Sequence, residues 1–131
     1  MKNKGFTLIE LLAVIVILAI IALIATPVIL GIINDARSSA KDRTAELIVN
    51  AVELAYQTKY ATKGTVPTLD EVTEQLSKNG INNATITGAK VTSKDGVECT
   101  LSNASGKLGL TCTGVSSADV VKLNDMTLAT K

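Results

Sequence analysis

The sequence predicts an α+β fold, in which one long N-terminal helix precedes a small antiparallel sheet of three to four strands. The first half of the chain has a helical pattern almost without interruption. From Ala84 onward, β-branched residues alternate with other residues between glycine-containing turns. With 131 residues, the chain is long enough for one compact domain and too short for two that each bury a full core.

The composition argues against most classes of enzyme and against a dedicated nucleic-acid-binding protein. The formal net charge is only +1, and no long block of like charge could neutralise a phosphate backbone. The chain has no His and only two Cys, so the most common general base and most transition-metal ligands are absent. We therefore predict no catalytic residues, no metal site and no cofactor.

The N-terminal helix begins with a segment that is apolar on every side. Between Leu11 and Ile33, 20 of 23 residues are aliphatic and none is charged. As a helix the segment is about 34 Å long, close to the roughly 30 Å hydrocarbon thickness of a bilayer. The rest of the chain is too polar and too short to surround it. We therefore expect this segment to reside in a membrane.

Two lysines set the expected orientation in that membrane. Lys2 and Lys4 precede the apolar segment, so the N-terminus is expected in the cytoplasm and residues 34–131 outside it. A cleaved secretory signal is the main alternative, but its apolar region would run for about 7 to 15 residues and end at a small-residue site. Here the apolar run is longer and continues into a charged helical stretch.

Glu10 is the ionisable residue that directly precedes the N-terminal end of this segment. An isolated acidic side chain at the centre of a bilayer costs about 2.5 kcal/mol or more, so its charge needs compensation. One interpretation places Glu10 at the level of the lipid headgroups, where the positive end of the helix dipole favours it. The other is a specific cationic partner.

The run Lys4-Gly5-Phe6-Thr7-Leu8-Ile9-Glu10, followed by about twenty apolar residues that include Pro27, resembles the type IV prepilin family. The resemblance covers about the first 30 residues and implies the type IV pilin fold. It implies a leader of residues 1–5, an apolar membrane and filament-core segment of residues 6–33, and an extracytoplasmic globular domain of residues 34–131. A prepilin peptidase would cut between Gly5 and Phe6 and N-methylate Phe6.

The resemblance also implies a partner for Glu10 and a place for the protein. Glu10 would pair with the Phe6 ammonium of a neighbouring subunit in a helical homo-oligomeric filament, and this pairing would set the register of the subunits. The subunit would be stored in the cytoplasmic membrane and polymerised by the pilus assembly machinery into a surface pilus. Adhesion, twitching motility and DNA uptake are all functions found in that family.

The helix is predicted to extend from Phe6 to about Ala61. Pro27 removes an amide donor and crowds the Leu23 carbonyl, so a kink or local melting is expected there. Beyond it, an apolar stripe with helical spacing is expected to pack on the globular domain. The stripe comprises Ala45, Ile48, Val52, Ala55 and Tyr56, widened by Leu47, Ala51 and Leu54.

A second helix over residues 69–78 is predicted from the sequence Thr68-Leu69-Asp70-Glu71, which matches a capping box.

Three strands follow, at about residues 85–92, 97–102 and 108–113. If Ser105-Gly106 is a two-residue hairpin loop, Cys99 lies opposite Cys112 at a non-hydrogen-bonded position, where Cα atoms approach to about 4.5 Å.

That separation permits a Cys99–Cys112 disulfide, which is favoured outside the cytoplasm. Two buried free thiols are the alternative.

Residues 114–131 are compatible with a short helix or with a fourth edge strand.

Three functions are compatible with these features. The first is a structural pilin subunit. The second is a pseudopilin of a type II secretion or competence system, which shares the same N-terminal features. The third is a signal-anchored binding protein without a polymeric role, for which Gly5, Phe6 and Glu10 would match the prepilin pattern by coincidence.

Overall fold

A computed structural model describes residues 5–115 and 120–129, which form two helices and a five-stranded sheet. The elements in chain order are α1 (Leu8–Lys63), α2 (Leu69–Asn79), β1 (Ala84–Thr87), β2 (Lys90–Ser93), β3 (Glu98–Ala104), β4 (Lys107–Thr113) and β5 (Val120–Thr127). The chain divides into two compact units, Met1–Arg37 and Ser38–Lys131. Lys2 and Lys4 lie outside the described residues.

The first unit is apolar helix whose side chains lie exposed. Its most apolar 18-residue window has a mean hydropathy of 3.2, and none of that window is buried. The helix continues through Pro27, and the Thr26 hydroxyl donates to the Ala22 carbonyl at 2.6 Å. The helix assignment is thus continuous in this single chain, and a kink at Pro27 or melting on packing into a filament stays a prediction.

In the second unit, one face of α1 packs on the sheet. Ile48, Val52, Ala55 and Tyr56 are buried, as the stripe predicts. The predicted widening of the stripe is wrong for two residues, since Leu47 is 63% exposed and Leu54 57% exposed. Each immediately precedes a buried residue, and one step along a helix turns a side chain by about 100°, away from the sheet.

The sheet is an antiparallel meander in the order β1-β2-β3-β4-β5. The strand predicted at residues 85–92 is in fact two strands, because Gly88 has a φ of 57° and the Thr87↔Lys90 pair closes a two-residue loop. The alternation of β-branched residues runs through this turn, and no Asn-Gly or Asp-Gly pair marks it. The sheet consequently has five strands instead of three to four.

The β3–β4 hairpin has the predicted register. Cys99 pairs with Cys112 and Leu101 with Leu110, around a loop of Ser105 and Gly106. Both loop residues have positive φ angles, 57° and 75°, as a type I′ turn requires. Strand β3 runs two residues beyond its predicted end at 102.

The C-terminal segment is a strand, so the helix alternative for this segment is wrong. β5 pairs with β4, with a register shift between Lys107 and Gly109, and it supplies the buried side chains of Leu123 and Met126. A strand here satisfies the free amide and carbonyl groups along the second edge of β4. Residues 116–119, 130 and 131 lie outside the described residues.

Candidate functional site

The first turn of α1 is closed by a reciprocal pair of hydrogen bonds between Thr7 and Glu10. The Thr7 amide donates to Glu10 Oε2 at 3.0 Å, and the Glu10 amide donates to Thr7 Oγ1 at 3.3 Å. Helix α1 begins at Leu8, so Thr7 is the N-cap and Glu10 the third helical residue. This arrangement is a capping box, which satisfies two amides that the helix leaves unpaired.

The capping box occupies only one side of the Glu10 carboxylate. Among residues 5–115 and 120–129, no partner is found for Glu10 Oε1, and the residue is exposed. A carboxylate offers about four lone-pair sites on its two oxygens. Glu10 can therefore cap its own helix and still accept a charge-assisted hydrogen bond from a cationic group.

Gly5 and Phe6 lie just before this turn, with no regular secondary structure. The Phe6 side chain is 82% exposed, and nothing lies within 4 Å of a Cβ atom built on Gly5. Of the described residues, none covers the peptide bond between them. Three of the residues singled out from the sequence, Gly5, Phe6 and Glu10, thus lie within six residues at one accessible end of α1.

Thr7 is the residue of this site that the sequence interpretation missed. Its signal is the same Ser/Thr-x-x-Glu spacing that predicts the cap of α2, here written Thr7-Leu8-Ile9-Glu10. The apolar run hides this signal, because hydropathy marks the apolar segment without marking the residue that caps its helix.

Behind the capped turn, the exposed apolar side chains of the first unit form a continuous surface. Leu8, Leu18 and Leu30 are 86%, 57% and 57% exposed. Soluble monomers rarely expose a contiguous apolar patch of more than a few hundred Å², so a surface of this kind marks contact with lipid or with other protein chains. No charged residue lies between Glu10 and Asp35, so the segment carries no charge that would be costly to place in lipid or against other apolar helices.

The Cys99–Cys112 disulfide is formed and joins β3 to β4 within the core of the second unit. The two Cα atoms are 4.0 Å apart, and both side chains are almost fully buried. The alternative of two free thiols is therefore wrong for this structure. Because the bridge links directly opposed residues, it fixes the register of the hairpin on which α1 packs.

Ion pairs hold α2 against the end of α1. Lys63 Nζ lies 2.9 Å from both carboxylate oxygens of Glu71, and Lys59 Nζ lies 3.7 Å from Glu74. Hydrogen bonds from the Thr68 amide and the Lys63 ammonium hold the pKa of the Glu71 carboxyl below its usual value. The Lys78 hydrogen bond, with the charge of Lys59, lowers the pKa of Glu74 in the same way.

Two comparisons with known proteins bear on this arrangement. Residues 1–26, which contain the capped turn and most of the apolar run, match the family described as the prokaryotic N-terminal methylation motif. The chain is also 40% identical over 72 residues to the type IV narrow pilus major component PilA5 of Thermus thermophilus. That match covers 55% of this chain and 59% of the relative, somewhat more than half of each.

Proposed function

We propose that this chain, for which the fold, the methylation motif and the curated relative together support a type IV pilin, is a structural subunit of a type IV pilus. In this proposal the apolar segment is held in the cytoplasmic membrane before assembly and in the filament core afterwards. The second unit forms the coat. The segment exchanges lipid contact for contact with other helices, so the apolar surface stays out of water throughout the transfer.

The observation that carries the proposal is the exposed apolar half of α1 with Glu10 at its start. One oxygen of the Glu10 carboxylate takes part in the helix cap, and the other has no partner among the described residues. In a membrane anchor alone, Glu10 would cap its own helix, and its second carboxylate oxygen would have no specific partner. In a polymer, a cation on a neighbouring copy at a fixed stagger could bind Glu10 Oε1. A neighbour at the wrong stagger would leave both charges without partners in a low-dielectric environment.

The cation in this proposal is the Phe6 ammonium, which exists only after the bond between Gly5 and Phe6 has been cut. A prepilin peptidase would make that cut and methylate the new amine. Cutting there leaves the Thr7 amide intact, so the capping box survives processing. Processing would thereby create the Phe6 ammonium without disturbing Thr7, whose amide holds the Glu10 carboxylate in place.

The experiment that tests the proposal is mass spectrometry of filaments sheared from the surface of cells that express the full chain. The expected result is long filaments whose subunits begin at N-methylated Phe6 and carry the Cys99–Cys112 bridge. A chain that is retained at full length in the membrane, with no sheared material, would overturn the proposal. Short assemblies confined to the cell envelope would indicate a pseudopilin instead.

A further inference from the structure

We infer that Asn79, the last residue of α2, is a site of spontaneous covalent modification, at which the side-chain amide is lost and an aspartate or isoaspartate remains. The step that controls this deamidation is the opening of the last turn of α2. The inference does not depend on the proposed function, because the reaction uses only atoms of this chain and water.

The sequence places the most reactive kind of asparagine at this position. The chain has eight asparagines, and Asn79 is the one that is followed by glycine. Asparagine is among the thermolabile residues of proteins. Its side-chain carbonyl carbon is attacked by the backbone nitrogen of the next residue, and Gly80 has no side chain to shield that nitrogen.

The reaction balances without an enzyme or a redox partner. A bond forms between the Gly80 nitrogen and Asn79 Cγ, and the bond between Cγ and Nδ2 breaks. The amide group leaves as ammonia and takes up the proton of the Gly80 amide. Water then opens the five-membered succinimide at one of its two carbonyls. Opening at one carbonyl gives aspartate, and opening at the other gives isoaspartate, in which the main chain runs through the former side chain.

Two hydrogen bonds hold the reacting groups in the folded chain. The Gly80 amide donates to the Leu76 carbonyl at 3.0 Å, and Gln75 Nε2 donates to Asn79 Oδ1 at 3.2 Å. Ring closure requires the backbone at Asn79 to leave its helical conformation, which breaks the first of these bonds. The ends of helices open more readily than their interiors, and residues 77–80 are all exposed.

Gly80 is required by the fold and also leaves the site open. Its φ of 66° and ψ of 163° end the helix in a conformation that residues with a side chain rarely adopt. Among the described residues, nothing lies within 4 Å of a Cβ atom built on Gly80. The residue that ends α2 therefore also gives water access to the labile bond.

Deamidation changes the end of α2 and leaves the rest of the helix in place. The new carboxylate lies at the negative end of the helix dipole, where an anion is disfavoured. Isoaspartate also lengthens the main chain before Gly80, so the bond to the Leu76 carbonyl is lost. Val72 and Leu76 are fully buried and keep the preceding turns on the core. Each modified chain thus gains a negative charge and loses the last turn of α2.

The test follows deamidation in the full-length chain, purified in detergent and incubated at neutral and at mildly alkaline pH. Peptide mass spectrometry measures loss of the amide, and enzymatic methylation of isoaspartate measures the second product. Asn83 is the reference within the same chain, since it is exposed, lies in a turn and is followed by Ala84. We expect Asn79 to react first, and faster at the higher pH, because the attacking nitrogen must lose its proton.

A matched pair of variants, Ser77→Gly and Ser77→Ala, tests the opening of the last turn. Ser77 is exposed, and its hydroxyl donates to the Thr73 carbonyl at 3.0 Å, a bond that both variants lose. They therefore differ in helix propensity, and we expect Ser77→Gly to deamidate about fivefold faster than Ser77→Ala. Formation of the Cys99–Cys112 bridge checks that both variants fold.

Two results would overturn the inference. One is loss of the amide at Asn79 that is no faster than at Asn83 in the wild-type chain. The other is an equal rate at Asn79 in the two Ser77 variants. Neither result bears on the proposed function, because the measurements are made on the purified chain and require no filament.

Discussion

Thr7 and Glu10 cap each other at the start of α1: Glu10 Oε2 accepts from the Thr7 amide at 3.0 Å, and Thr7 Oγ1 accepts from the Glu10 amide at 3.3 Å. The same carboxylate therefore has a local structural role and, in our proposal, an inter-subunit one. Because the two roles use different properties of the side chain, substitutions can separate them.

Glu10→Gln is expected to lower filament yield strongly while leaving the helix start intact. Glutamine still accepts the Thr7 hydrogen bond of a capping box, but it carries no charge to pair with the Phe6 ammonium. Glu10→Val, which removes both, should give the same loss of filaments with normal membrane insertion.

Thr7→Val is the matched control, since it removes half of the cap and keeps the charge. Such a loss costs a helix about 1 kcal/mol, so filament yield should fall much less than in Glu10→Gln. Yield would be measured as sheared protein relative to the membrane pool. Near-normal filaments from Glu10→Gln would contradict the charge pairing.

Gly5→Val is expected to leave an uncut precursor in the membrane. The residue lies in an accessible segment where a Cβ meets nothing within 4 Å, so the substitution does not disturb the folded chain itself. Its effect would therefore arise in the peptidase, where the added isopropyl group blocks access to the bond. Immunoblotting for precursor and mature forms measures the result, and normally processed Gly5→Val protein would count against the cut site.

Replacing both cysteines, as Cys99→Ala with Cys112→Ala, should lower the free energy of unfolding by about 3 kcal/mol in the chain-entropy estimate for a loop of this size. The hairpin register should survive, because Leu101↔Leu110 and the type I′ turn specify it independently. Denaturant unfolding of the full chain in detergent measures the difference. Reduction of the intact bridge should also increase the mass of the chain by two protons. If the mass did not change on reduction, the disulfide would be refuted.

The docking of α2 should weaken in acid. Since the folded-state pKa of Glu71 lies below the reference value of 4.5, its contribution is fully present above that value and is lost as the pH falls through the lower, folded-state pKa. The thermal midpoint of the wild-type protein should therefore drop as the pH is lowered from 6 to about 3.

Glu71→Gln keeps the capping geometry but not the titration, so its midpoint should depend less on pH over the same range. Glu53→Gln, on the helix that faces α2 but with no ion pair among the described residues, serves as the control. If the thermal midpoints of the wild type and of Glu71→Gln depended on pH in the same way, the Glu71 carboxylate would be excluded as a cause of the acid destabilisation.

Ser105→Asn should stabilise the β3–β4 hairpin by about 0.5 kcal/mol. Ser105 has a φ of 57°, a left-handed conformation in which asparagine is favoured, and the substitution produces the Asn-Gly pair preferred in type I′ turns. Gly106→Ala, at a φ of 75°, should destabilise the protein by about 1 kcal/mol or more. A lower unfolding midpoint for Ser105→Asn would argue against this turn.

Several elements could be predicted from the sequence because their signals are local. Thr68 and Glu71 predict the cap of α2, and the Ser105-Gly106 turn, by simple counting, places Cys99 opposite Cys112. The split of residues 85–92 into β1 and β2 could not be predicted, since Gly88 interrupts an alternation that looks continuous. The strand identity of β5 depends on β4 offering a free edge, which is a long-range property.

The sequence by itself determined the apolar half of α1, the position of Glu10 at its start and the opposed positions of Cys99 and Cys112, because composition, short spacings and turn chemistry act over a few residues. Only the tertiary structure decided how wide the buried face of the second half of α1 is. Leu47 and Leu54 are as apolar as Ile48 and Val52, and helical periodicity alone allows a stripe wide enough for all four. The sheet has room for one face of the helix, so packing left these two leucines exposed.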